Sequence, residues 1–169
     1  NANANADVNV NSGIGRRVAE MLAQRGWRVW ACDVNRAGLD DLAKACGPSV
    51  TAVTLDVSNP ESCAAMVELV TRDNASVHGL INVAGIPQPG PALGFDDKAS
   101  KLIIDVNLMG AMRLTRLLVP ALIRSPDVGG AVCFVTSTNG RVAWPWSGLY
   151  APTKAGLELF AEVVRREAH

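Results

Sequence analysis

A chain of 169 residues, 49% of them apolar and with no formal net charge, can bury one sizeable core and is too apolar to stay disordered. The balanced charge excludes a polybasic nucleic-acid surface and an acidic tail. No apolar run approaches the ~18 residues of a membrane span, and no leader pattern opens the sequence. The expectation is a cytoplasmic protein without nucleic-acid or membrane partners. Cys32, Cys46, Cys63 and Cys133 lie far apart without metal-ligand spacing, so buried, reduced thiols and no metal are expected. His78 and His169 are too few for a histidine-based site.

Residues 1–12, NANANADVNVNS, form an anomalous segment in which only Val8 and Val10 are β-branched. It stands where a first strand is needed. GIGRRVAEMLAQRG then reads as a helix, with Val18, Met21, Leu22 and Arg25 at helical spacing and Gly26 as its stop. This helix starts at the turn Gly13-Ile14-Gly15, where free backbone N–H groups and the helix dipole suit a phosphate.

A short apolar strand, Trp27–Asp33, ends in an acidic residue about 20 positions after the glycine turn. In a dinucleotide fold that carboxylate accepts from the adenosine ribose hydroxyls and repels a 2′-phosphate. Val34 follows rather than a basic residue, which points to NAD over NADP, with Arg36 as the one nearby phosphate partner.

Residues 36–46 read as a helix with Leu39 and Leu42 inward. Val50–Val57 reads as a strand carrying Asp56 near its end. Ser58–Glu61 has the Ser-x-x-Glu form of a capping box, opening a helix to about Arg72 that buries Ala64, Val67, Leu69 and Val70. Val77–Val83 is the next strand and leads into Ala84-Gly85. The loop Ile86–Gly94 is too rich in Pro and Gly for regular structure.

Residues 96–104 and 106–123 form an amphipathic helical region holding Asn107, a polar residue that costs stability inside an apolar stretch unless it is hydrogen-bonded. A fifth strand, Ala131–Thr136, precedes Ser137. A last helix from about Gly148 keeps Ala155, Leu159 and Val163 on one stripe. This βα alternation predicts a parallel sheet covered on both faces, with ligands at the carboxyl ends of the strands. Asp33, Asp56, Asn82–Gly85 and Ser137 all fall there and are expected to line one crevice.

The stretch Ser137–Lys154 carries the chemistry. On a helix, Tyr150 and Lys154 lie one above the other. A phenol at its reference value near ~10 moves protons poorly at neutral pH, and an ammonium held beside it favours the phenolate. That pair makes a general acid/base for an alcohol proton, and the Ser137 hydroxyl could hold the same substrate oxygen.

With these motifs in order, the chain resembles the short-chain dehydrogenases/reductases over roughly residues 8–168. Ser137, Tyr150 and Lys154 match that family's catalytic Ser, Tyr and Lys, and Asn107 in DVNLMG matches its fourth catalytic residue. Asn82-Val83-Ala84-Gly85 resembles its Asn-Asn-Ala-Gly motif, with Val in second place. Asp56-Val57 matches its adenine contact, and Gly13-Ile14-Gly15 the last part of its glycine motif. A weaker likeness, around NLMG and PWSGLYAPTK, is to members acting on retinol or steroid alcohols.

The resemblance implies a Rossmann-like doubly wound parallel sheet in three α/β/α layers. It implies a single domain over residues 8–169 that lacks the last strands of the family fold and is incomplete at its C-terminus. The implied activity is NAD(H)-dependent interconversion of a secondary alcohol and a ketone. Lys154 binds the nicotinamide ribose, and Asn107 keeps a water against Lys154. Asn11, Ser12, Gly13, Ile14, Gly15, Asp33, Val34, Asp56, Val57, Asn82–Gly85, Tyr150 and Lys154 hold the cofactor. Ser137, Asn139, Trp144 and Tyr150 face the substrate, and the two tryptophans Trp144 and Trp146 point to an apolar or ring-bearing one. Family pairing implies a homodimer or homotetramer through helices 106–123 and 149–167. Val8 and Asn9 stand where the family has Thr-Gly, which favours the alternatives of a degenerate nucleotide-binding or scaffold domain. An NADPH-dependent carbonyl reductase using Arg36 is the other alternative.

Overall fold

The computed structural model describes residues 13–72, 77–122 and 130–167. The expected first strand, with Val8, Val10, Asn11 and Ser12, lies outside them. The chain divides into two compact units whose border falls between Asp56 and Val57.

The first unit runs α1 (Ile14–Gln24), β1 (Val29–Asp33), α2 (Arg36–Cys46), a 3-10 turn (Gly47–Ser49) and β2 (Val50–Thr54). Helix α1 stops where Gly26 takes φ +82, a left-handed conformation that costs glycine nothing. β1 and β2 are parallel, in register from Val29↔Val50 to Asp33↔Thr54. Leu39 and Leu42, wholly buried as expected, pack with Ala19, Ala31 and Val50. Each leucine contributes about 2 kcal/mol by leaving water. Met21 is exposed and Ala19 takes the buried place on α1.

The second unit runs α3 (Pro60–Thr71), β3 (Gly79–Asn82), α4 (Asp97–Ile104), a π-helical turn (Asp105–Met109) and α5 (Gly110–Leu122). It continues with β4 (Ala131–Phe134), a 3-10 turn (Thr138–Gly140) and α6 (Tyr150–Glu167). β3 and β4 are also parallel, from Gly79↔Ala131 to Asn82↔Phe134. The strand–helix alternation and parallel pairing expected from sequence are present in both units.

Three local expectations are corrected. Asn59, not Ser58, caps α3: its side chain accepts from Ser62 N, with Pro60 in the first helical turn. The inward stripe of α3 is then Cys63, Met66 and Val70, while Ala64 and Leu69 are exposed. Cys and Met bury as readily as aliphatic side chains. Of the four thiols, only Cys63 is fully buried and Cys133 is exposed. Ile81 and its partner Cys133 are exposed side chains of the β3–β4 pair.

The long helical region is also not uniform. Gly110 N–H reaches back five residues to Asp105 O, widening one turn between α4 and α5 in the manner of π-bulges at functional sites. Gly110 itself is required by close approach, since a Cβ there would sit 2.8 Å from Val57 Cβ.

Candidate active site

The second unit gathers the four residues predicted to carry the chemistry. Asn107 falls inside the π turn and is wholly buried. Its Oδ1 accepts from Ile86 N at 2.7 Å, and its Nδ2 donates to Ile86 O at 3.1 Å and to Thr153 Oγ1 at 3.3 Å. Both amide protons are therefore committed. The carboxamide can meet the expected water only through the second lone pair of Oδ1. In this geometry Asn107 is a positioning residue that staples the loop after β3 to α6.

Tyr150 opens α6 and Lys154 follows one turn later, with its ammonium 5.8 Å from the centroid of the Tyr150 ring. Lys154 is 3% exposed. Its Nζ donates to Val135 O at 2.8 Å, and burial lowers its pKa below the ordinary lysine value. Val135 in turn donates its N–H to Asn82 O at 2.9 Å. Asn82, buried at the end of β3, is tied by Nδ2 to Thr115 Oγ1 of α5 at 3.4 Å. A side chain at Gly85 would come within 3.3 Å of Lys154 Nζ and 3.5 Å of Asn107 Oδ1. Val83, Ala84 and Gly85 are half-buried, and their glycine end leaves open backbone beside the ammonium.

Ser137 follows β4 and caps the 3-10 turn, its Oγ accepting from Asn139 N at 3.2 Å. A hydroxyl that accepts one bond still has its proton to give, which suits a substrate oxygen. Gly140 lets this turn lie against α6, because a Cβ there would meet Lys154 C and Ala155 N at 2.9 Å.

The residues predicted to face substrate are not all brought together. Asn139, whose Nδ2 donates to Ser147 Oγ, lines a cleft of about 500 Å3 with Trp144, Trp146 and Ala151. Ser137 instead lines a groove of about 240 Å3 with Thr136, Thr138 and Arg141. Trp144 and Trp146 are 59% and 68% exposed. Trp146 adopts φ +67, and its carbonyl accepts from Gly90 N at 2.8 Å. A parallel bridge between Gly90 and Ser147 thus joins the Pro/Gly-rich loop to the segment ahead of Tyr150. Val57 O is pinned by Arg113 of α5 at 2.6 Å and by the Cys63 thiol. Sequence reasoning missed Thr153, Thr115 and Arg113. Threonines on an inward helical face were the only available signal, and the contacts span from 33 to 56 residues.

In the first unit, Asp33 is 5% exposed at the end of β1. Its Oδ1 accepts from Asn35 N at 2.9 Å, and its carbonyl accepts from Leu55 N. Asn35 caps α2 by accepting from Gly38 N. Arg36 pairs with Asp40 one turn on at 2.8 Å. Val34 is exposed. Beside Asp33, burial and then its carboxylate push the Cys32 thiol up to about 12, so it is inert at neutral pH. At α1, Gly13 is the N-cap and offers no side-chain bond, Ile14 is exposed, and the first turn holds no acidic residue. Gly13 is not left-handed (φ −100). Asp56 is exposed. Among the described residues no group of three or more His, Cys, Asp or Glu could hold a metal, and no helix is long and apolar enough to cross a membrane.

A family model described as short chain dehydrogenase matches residues 8–169. The chain belongs to the short-chain dehydrogenase family. It is similar to human retinol dehydrogenase 5, with 36% identity over 163 residues, 93% of this chain and 49% of that protein. It is also similar to human 17-beta-hydroxysteroid dehydrogenase type 6, with 33% identity over 160 residues and the same two shares. The chain thus spans about half the length of the curated relatives it matches. Among solved structures, a short-chain dehydrogenase from Streptomyces avermitilis superposes with TM-score 0.88 and 28% identity over 94% of this chain and 58% of that one. A serine dehydrogenase complexed with NADP+ superposes with TM-score 0.87 at 23% identity, covering 95% of this chain and 64% of that one, a likeness of fold alone. The Rossmann-like α/β architecture of short-chain dehydrogenases is therefore the fold of this chain.

Proposed function

We propose that the chain carries the proton-transfer machinery of an NAD(H)-dependent oxidoreductase that interconverts a secondary alcohol and a ketone. The observation that carries this reading is the buried Lys154 ammonium beside the Tyr150 ring. Tyr150 takes the proton from the alcohol oxygen, or returns it to the ketone oxygen in reverse. Lys154, held by Val135 O, offers its charge to the phenolate. Ser137 donates its remaining proton to the same substrate oxygen and orients it.

Cofactor-directed residues fit a dinucleotide. Asp33 presents a buried carboxylate with one oxygen already anchored to Asn35, which suits a ribose diol and disfavours a 2′-phosphate. Arg36, the candidate phosphate partner, pairs with Asp40. The uncapped N-terminus of α1 suits pyrophosphate, and Gly85 leaves room against Lys154 that a Cβ would fill. Bound nicotinamide supplies hydride acceptance or delivery. The relatives' names, and the exposed Trp144 and Trp146, favour an apolar, ring-bearing alcohol. Pairing of two copies through α5 and α6 belongs to the same reading; Leu159 and Val163 on α6 are exposed.

The test is Tyr150→Phe, assayed by turnover of retinoid and hydroxysteroid alcohols and by calorimetric titration with NADH and NADPH. Turnover is expected to vanish while NADH affinity stays at the wild-type level and exceeds that for NADPH. Turnover in the variant equal to wild type would remove Tyr150 from the mechanism.

A further inference from the structure

We infer that Thr153 is a positioning residue for the acid/base pair, its hydroxyl fixing the first turn of α6 against the Asn107 carboxamide and the loop after β3. This rests on the reading of Tyr150 and Lys154 given above.

Thr153 is 3% exposed, and its Oγ1 donates its single proton to Tyr150 O at 2.7 Å. The oxygen's lone pairs are then all that it can turn to α5's side of the helix, so it must meet a donor there. Asn107 Nδ2 supplies that donor at 3.3 Å. Its other proton goes to Ile86 O, and Oδ1 takes Ile86 N. Ile86 N and O set which way the Asn107 amide faces, and the Thr153 oxygen takes the amide's remaining proton. The directed chain runs from Ile86, next to Gly85, through Asn107 and Thr153 to the backbone of Tyr150.

Its members Ile86, Asn107 and Thr153 are all buried, so water cannot replace a lost bond cheaply. Among the charges on neighbouring elements, Asp105 pairs with Lys101 and Arg141 with Glu158. The Lys154 ammonium lies beside the ring, and the distance between the two depends on this turn staying in place.

The chain has one tyrosine, so the ring resonances of isotope-labelled tyrosine report the seat of Tyr150 without any substrate. The experiment compares wild type, Thr153→Ser, Thr153→Val and Thr153→Ala by tyrosine-ring NMR, thermal melting and steady-state kinetics. Ser keeps the hydroxyl and is expected to coincide with wild type. Val keeps the volume but removes the hydroxyl; its ring resonances should move and kcat should fall about ten- to a hundredfold with little change in KM. Ala covers the case in which Val does not fold, with the same displacement expected. Ring resonances unmoved in both Val and Ala, or displaced as far in Ser as in Val, overturn the inference. If wild type turns over no alcohol, the proposed activity fails for this chain while the ring resonances still decide the role of Thr153.

Discussion

The β1–α2 corner and the Tyr150–Lys154 region are built on different principles. At the corner, the side-chain bonds of Asp33 and Asn35 are local, Asp33 taking Asn35 N and Asn35 taking Gly38 N, and a longer link runs from Leu55 N to the Asp33 carbonyl. In the second region the bonds reach far along the chain, 21 residues from Asn107 to Ile86, 46 to Thr153, and 19 from Lys154 to Val135. Turn chemistry orients the Asp33 and Asn35 side chains of the first site. The second exists only when α4, the π turn, β4 and α6 have packed. A defect at the corner should stay there, whereas a defect in the stapled region should be felt at the acid/base pair.

The largest expected effect is that of Asn107→Leu, which leaves Ile86 N and O buried without partners. Chemical denaturation should show a loss of about 4 kcal/mol, and turnover should fall with it. A variant as stable as wild type would mean that water or a shift of the loop satisfies Ile86, and the contrast between the regions would weaken. Asn35→Ala removes only a helix cap and should cost about 1 kcal/mol by the same assay, with the affinity for NADH following the change at the corner.

The smallest effect sharpens the picture through pH. Lys154 has a lowered folded pKa because burial disfavours its charge. Between that lowered value and 10.5, the ordinary lysine value, the unfolded chain holds more protons than the folded one, so unfolding free energy rises with pH across that window. Subtracting the denaturation curves of Lys154→Met from those of wild type should isolate this slope. A difference that is flat, or that falls with pH, would show the ammonium to be better solvated than its 3% exposure implies.

The same contrast governs what could be read from sequence. Gly26 as a helix stop, Leu39 and Leu42 as core, and Asp33 at a strand end were legible because periodicity and turn chemistry act over a few residues. Asn107, Ser137, Tyr150 and Lys154 were legible as candidates through motif spacing. Their partners were not, since nothing local to Thr153 announces Asn107. The cap of α3 was misplaced by one residue because Ser58 and Asn59 both cap well, and only the packed position of Cys63 and Met66 decides between them. The π turn was invisible for a related reason: DVNLM has ordinary helical composition, and the widening answers to Asn107's burial and to the approach of Gly110 to Val57.

That turn has a consequence for how this sequence can vary in length. A widened turn is an inserted residue that the helix has absorbed, so α4 and α5 are out of phase by one position. Deleting a residue between Asp105 and Met109 would restore regular helix and satisfy every local propensity. It would also rotate one flank against the other by ~100°, carrying either Ile103 or Leu114 and Leu118 off the core. The most regular version of this helix is the one the fold cannot use, and insertions and deletions here are constrained more tightly than substitutions.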